Sequence, residues 1–119
     1  ENIFRTEVDK VEGEETVVRF GQSRLRIQGQ HQGRVTVMIR PEDLRVFKLT
    51  ATVHPRPEHN EFRVILEQTR DFGHYVRIRL RGDMDLLAHI PHGVFLELDP
   101  RAGTRLGERL PPENIHTFT

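Results

Sequence analysis

One stretch constrains the fold more than any other: Val35-Thr36-Val37-Met38-Ile39-Arg40-Pro41-Glu42-Asp43-Leu44-Arg45-Val46. Val35, Val37 and Ile39 fall on one side of an extended chain, with Thr36, Met38 and Arg40 on the other. A period of two over β-branched residues is the pattern of a half-buried strand. Pro41 cannot donate to a sheet ladder and fixes its own φ, so the strand stops there. Arg40, preceding the proline, is pushed towards extended geometry. Asp43 offers a short acceptor that closes the turn. The stretch therefore predicts strand, hard turn, strand.

The rest of the chain repeats this grammar. Residues 3–11 alternate Phe4, Thr6 and Val8 against charge, 12–15 are a polar turn, 16–20 are strand-like and 21–23 turn again. Residues 24–28 alternate, 29–33 form a polar loop, and a further strand-like run covers 47–53. Short strands separated by turn signals predict an all-β sandwich or barrel. His54-Pro55-Arg56-Pro57-Glu58-His59-Asn60 is a stiff connector and the one internal boundary. It divides the chain into residues 1–57, the N-terminal part of a barrel, and 58–119, within one compact accessory unit.

In the second half Phe62, Val64 and Leu66 alternate, as do Val76, Ile78 and Leu80. A three-residue loop, Asp71-Phe72-Gly73, sets Leu66 opposite Ile78, Val64 opposite Leu80 and Glu67 opposite Arg77. It gives Gly73 the left-handed position such loops require. A strand follows over 85–90. Residues 91–98 hold at most one short helical turn, with Val94, Phe95 and Leu98 at helical spacing. Closing strands cover 106–110 and 114–118.

The chain has 119 residues, 18 basic and 18 acidic, so nothing in its balance asks for a polyanionic partner such as nucleic acid. It has no cysteine, which removes disulfides and thiolate metal sites and suits the cytosol. No apolar run approaches the roughly 20 residues of a membrane span. No basic segment followed by an apolar one opens the chain. Glu1 stands where a methionine would start a gene product, which reads as an excised or processed segment.

Reactive motifs are few. A phosphate-binding loop needs Gly-Lys-Ser/Thr, and Lys10 and Lys48 precede Val11 and Leu49. Asp71-Phe72-Gly73 spells the kinase magnesium triplet without its companion loops and is explained as a turn. Arg81-Gly82-Asp83 is a turn likewise. His89 and His92 are three apart, but Pro91 breaks any helix that would align them on a metal. Glu14-Glu15, Glu42-Asp43 and Asp83 with Asp85 fall in turns, away from the apolar settings that tune carboxyls for proton transfer. Ser23, the only serine, has no base beside it in sequence. Arg77, Arg79 and Arg81 share a strand face, read as solvated, with Glu67 balancing Arg77 and no aromatic ladder alongside. An anion groove is the functional alternative.

Ile39-Arg40-Pro41-Glu42-Asp43-Leu44-Arg45-Val46 resembles the signature that starts the TOBE region behind the ATPase domain of bacterial ABC importer ATP-binding subunits. Asn2-Ile3-Phe4 resembles the opening of the same segment, and Ile115-His116-Thr117-Phe118 its closing strand, all in the right order. Arg40, Pro41, Glu42, Asp43, Gly73 and Phe118 are thus signature or structural positions. The resemblance implies small OB-like or MOP-like β-barrels in a non-catalytic accessory, regulatory and dimerisation domain. It implies ATP and Mg in an upstream ATPase domain and no cofactor in this segment. Implied partners are a second copy, that ATPase domain and the transporter's membrane subunits, at the cytoplasmic face of the membrane. Phe95-Leu96-Glu97-Leu98 and the closing strand are most similar to the molybdate/tungstate group. Its Ser-Ala-Arg-Asn motif is replaced here by Ile65-Leu66-Glu67-Gln68-Thr69-Arg70. For an oxyanion ligand such as molybdate, tungstate or sulfate, the candidate residues are Thr69, Arg70 and the amides around Gly73. An OB-type nucleic-acid barrel is the remaining alternative.

Overall fold

The computed structural model describes residues 2–118. Its strands are β1 (Asn2–Glu12), β2 (Glu15–Phe20), β3 (Ser23–Gln28), β4 (Arg34–Ile39), β5 (Arg45–Lys48), β6 (Glu61–Asp71), β7 (Tyr75–Arg81), β8 (Leu86–Pro91), β9 (Arg105–Arg109) and β10 (Ile115–Phe118). One helix, α1 (His92–Leu98), follows β8. The strands form two curled antiparallel sheets, ordered β10-β4-β1-β2-β3 and β5-β9-β6-β7-β8. The all-β, barrel-like class expected from strand spacing is therefore the class that folds.

The proline stretch is the crossing point between them. Val35, Val37 and Ile39 are buried on β4, in the first sheet. Pro41–Asp43 then make a 3-10 turn, and β5 enters the second sheet. The backbone closes this turn: the Asp43 N–H donates to the Arg40 carbonyl at 2.9 Å. Pro41 suits the first position because its missing N–H is one the helix would leave unpaired. Buried Leu44 then anchors the exit.

The inward faces of both sheets share one core. Val18, Leu25, Ile27, Val37 and Ile39 pack with Val64, Leu66, Ile78, Leu80 and Leu106. Phe20 joins the sheets, its ring 5.4 Å from Phe4 and 4.9 Å from Phe62. Two asparagines fasten the sheets with polar bonds. Asn2 Nδ2 donates to the Leu87 carbonyl, and Asn2 Oδ1 accepts from the Leu87 N–H, both at 2.8 Å. Asn60 ends the Pro57–His59 turn in the left-handed region, at φ 58, and is fully buried. Its side chain accepts the Arg26 N–H at 2.8 Å and donates to the carbonyls of Arg26 at 2.8 Å and Leu110 at 3.0 Å. In the second sheet Phe47 lies over Gly107 on the neighbouring strand, so closely that a Cβ there would run into the ring.

Three expectations need correction. The β6–β7 hairpin pairs Leu66 with Leu80, Thr69 with Ile78 and Arg70 with Arg77. Glu67 is an extra residue in a bulge between Leu66 and Gln68, so it does not face Arg77. β6 consequently runs on to Asp71, and the turn moves to Gly73 and His74, with the Phe72 N–H donating to the Tyr75 carbonyl. The strand expected over 47–53 ends at Lys48. There Thr50 folds the chain back, its hydroxyl accepting the N–H groups of Thr52 and Val53. In the helix Phe95 and Leu98 pack on the core, but Val94 is exposed.

Candidate functional site

Bulging at Glu67 flips the facing of every β6 residue beyond it. Gln68 and Arg70 therefore join Arg77 and Arg79 of β7 and Leu87 and His89 of β8 on the outer face of the second sheet. Arg70 lies opposite Arg77, which lies opposite His89; Gln68 lies opposite Arg79, which lies opposite Leu87. Gln68, Thr69, Arg70, Arg77, Arg79 and Leu87 line a basin of about 180 Å³. On the other side of Arg77, the signature residues Arg40, Pro41 and Glu42 line a hollow of about 380 Å³ with Leu87 and His89.

This basin is held in a cationic state. Arg77 Nε donates to His89 Nε2 at 3.0 Å. Burial, then the nearby Arg77 charge, depresses the His89 pKa, which favours the neutral imidazole that can accept this bond. A neutral acceptor orients the guanidinium without cancelling its charge. The aromatic ladder that seemed missing from the sequence is present. Phe72 stacks on Tyr75 at 5.1 Å, and Tyr75 meets His89 at 4.6 Å. The guanidiniums of Arg70 and Arg77 lie 4.9 Å and 5.0 Å from the Phe72 ring centre. These contacts limit the arginines' freedom at cation–π distance. Cations and the Gln68 amide around so small a hollow suit a compact oxyanion, with Thr69, whose side chain shares the inward side of Ile78, contributing backbone to the rim.

Of the residues singled out in sequence, Thr69 and Arg70 line the basin. Gly73 sits beyond it at φ +92, and its N–H donates to Asp71 Oδ1 at 2.7 Å. That bond, with a smaller contribution from His92, holds the Asp71 carboxyl below its usual range. His92 Nε2 contacts Asp71 Oδ2 at 3.1 Å, so the two histidines have separate partners. Among the described residues no cluster of three or more potential metal ligands occurs. Ser23 hydrogen-bonds the Asp83 carboxylate. Phe118 lies on the other sheet, more than half exposed.

One carboxyl escaped notice in the sequence. Glu108 on β9 is 1% exposed, opposite Val46 and Phe62, and its Oε1 has no hydrogen-bond partner. Burial, reinforced by the Asp83 charge, pushes its pKa up to about 8. The signal was present: Glu108 has the same parity as buried Leu106 and Leu110.

Comparison with known proteins identifies the family and the fold. The TOBE domain model matches residues 37–118. Over 103 residues the chain is 29% identical to the molybdate/tungstate import ATP-binding protein WtpC of Pyrococcus horikoshii. That match takes in 86% of this chain and 29% of the relative, so the chain spans under a third of the protein it resembles. Among solved structures, the cytoplasmic molybdate-binding protein ModG with molybdate bound superposes with a TM-score of 0.76. The superposition covers 98% of this chain and 94% of ModG at 11% identity, a likeness of fold.

Proposed function

Because the chain belongs to the TOBE domain family, we propose that it is the non-catalytic accessory domain of an ABC importer's ATP-binding subunit, pairing with a second copy and bearing on regulation. An apolar patch beside a free sheet edge carries the pairing reading. Ile3 and Phe118 are 56% and 54% exposed. Ile3 lies opposite Met38, and Phe118 lies opposite Thr36, on the outer face of the first sheet. β10 ends the strand order there, with one row of backbone groups free to pair. In this reading an upstream ATPase domain binds ATP and Mg and engages the membrane subunits, which holds the assembly at the cytoplasmic face of the membrane.

Analytical ultracentrifugation of the full subunit tests the pairing. Removal of this segment, or a Phe118→Lys and Ile3→Lys double substitution, shifts the subunit towards monomer. Unchanged self-association in both refutes it.

A second reading is favoured by the basin of Gln68, Thr69, Arg70, Arg77 and Arg79: the domain holds a small oxyanion. Its relative's name and its fold-mate's ligand lend support. Calorimetry with molybdate, tungstate and sulfate tests it. Arg70→Ala with Arg79→Ala weakens binding by about tenfold or more, the scale of one lost charge-assisted contact. Silence across millimolar anion removes the reading. A nucleic-acid partner is disfavoured by the zero net charge.

A further inference from the structure

A larger hollow lies further along the same outer face. It encloses about 780 Å³, shares no lining residue with the small basin, and falls within the usual size of small-molecule sites. Its floor is Ile65, which pairs across the sheet with Arg81 on one side and Arg105 on the other. Two strand spacings separate those arginines, about 9 to 10 Å along the hydrogen-bonding direction. Arg63, two residues from Ile65 and on the same face, also lines the hollow. Leu49, Pro55 and Pro57 from the connector between β5 and β6 make an apolar wall.

Three arginines face two acids, Glu61 and Asp83, across this hollow, and none of the three is tied up in a direct ion pair. Among the described residues, none of Arg63, Arg81 and Arg105 has a carboxylate oxygen within 4.0 Å. The acids lining the hollow are otherwise engaged. Asp83 accepts from Ser23, and Glu61 accepts the Arg56 N–H at 3.0 Å. Arg63 is instead steered by an imidazole, donating to His54 Nδ1 at 3.3 Å. His54 Nε2 stands 3.1 Å from the Ala51 carbonyl, which fixes the proton on Nε2 and leaves Nδ1 to accept. The connector that forms the wall is thereby tied to one of the cations on the floor.

We propose that this groove is a binding site for a small organic phosphate, its anionic group held by Arg63, Arg81 and Arg105 and its carbon body lying on Ile65 against Leu49 and Pro55. Guanidinium forks match phosphate oxygens bidentately. The apolar wall distinguishes an ester with a carbon body from bare phosphate. The site is independent of the oxyanion basin and of self-pairing.

Calorimetry on the full chain with AMP and glucose 6-phosphate as probes tests it, against adenosine, glucose and inorganic phosphate. At least one ester binds, its neutral counterpart does not, and inorganic phosphate binds more weakly. Arg63→Ala with Arg105→Ala lowers the ester's affinity by about tenfold or more, consistent with loss of charge-assisted contacts. Arg63→Lys, which keeps the charge and loses the fork, falls between. Arg19→Ala, an exposed arginine on the other sheet, leaves the affinity unchanged. Circular dichroism confirms that each variant folds. The proposal is overturned if neither ester binds at millimolar concentration, if inorganic phosphate binds as tightly as the esters, or if the double variant binds like the parent.

Discussion

Glu108 makes the stability of this domain fall as the solution turns from neutral to alkaline. In the unfolded chain the carboxyl titrates at its ordinary value of 4.5; in the fold it titrates at about 8. Between those values the folded state holds a proton that the unfolded state has released, so stability decreases with rising pH. Each unit contributes about 1.4 kcal/mol, so at pH 7 the burden is about 3 kcal/mol. His89 has the opposite sign. Its folded pKa is depressed, so stability is lost as pH falls below the ordinary histidine value of 6.5 and is unaffected above it. The window from 6.5 to about 8 therefore isolates Glu108, which accounts for about 1 to 2 kcal/mol of lost stability across it. Urea unfolding at several pH values reads this directly. Glu108→Gln keeps the shape and cannot ionise, so that slope disappears; should it fold poorly, Glu108→Met serves the same purpose. The same slope in the variant as in the parent would falsify the claim that the carboxyl is buried and protonated in the fold.

Two further perturbations test the packing. Asn60→Ala leaves the Arg26 N–H and the Arg26 and Leu110 carbonyls without their side-chain partner, and costs roughly 3 to 5 kcal/mol in urea unfolding. Asn60→Gly tolerates the left-handed backbone yet costs nearly as much; a neutral glycine variant would show that backbone conformation, and not the bonds, sets the residue. Gly107→Ala pushes a methyl into the Phe47 ring and costs about 1 to 3 kcal/mol by overpacking. Phe47→Leu in the same background recovers part of that loss, and additivity of the two substitutions would refute the contact.

Period-two patterning made β4 and its proline turn legible, because each buried residue there is β-branched and each half-exposed one is polar or long. The hairpin defeated the same logic. Extending the parity of Phe62, Val64 and Leu66 through Glu67 turns Gln68 and Arg70 inward, whereas the bulge turns them outward. A bulged glutamate at a strand surface looks like any other exposed glutamate, so residue type carries no trace of the slip. The Arg77-Arg79-Arg81 stripe was legible from β7 alone. That Arg70 and His89 stand beside it was not, because they come from strands whose register sequence does not fix. The stack of Phe72, Tyr75 and His89 is likewise assembled across β7, β8 and the turn. Glu108 could have been found, since alternation with Leu106 and Leu110 points it inward; its charge argued the other way.

The strand order has a consequence for how the domain is made. β10 completes the sheet begun by β1 to β4, and every strand of the other sheet lies between β4 and β10 in the polypeptide. As the chain emerges from the ribosome, β4 must wait with an exposed flank while the 75 residues between Ile39 and Ile115 are synthesised, a long-range closure of the kind that slows β-proteins. Met38 and Thr36 stay uncovered by His116 and Phe118 throughout that interval. That flank of β4, sealed by β10 in the finished fold, is therefore the part of the first sheet most open to premature pairing during synthesis.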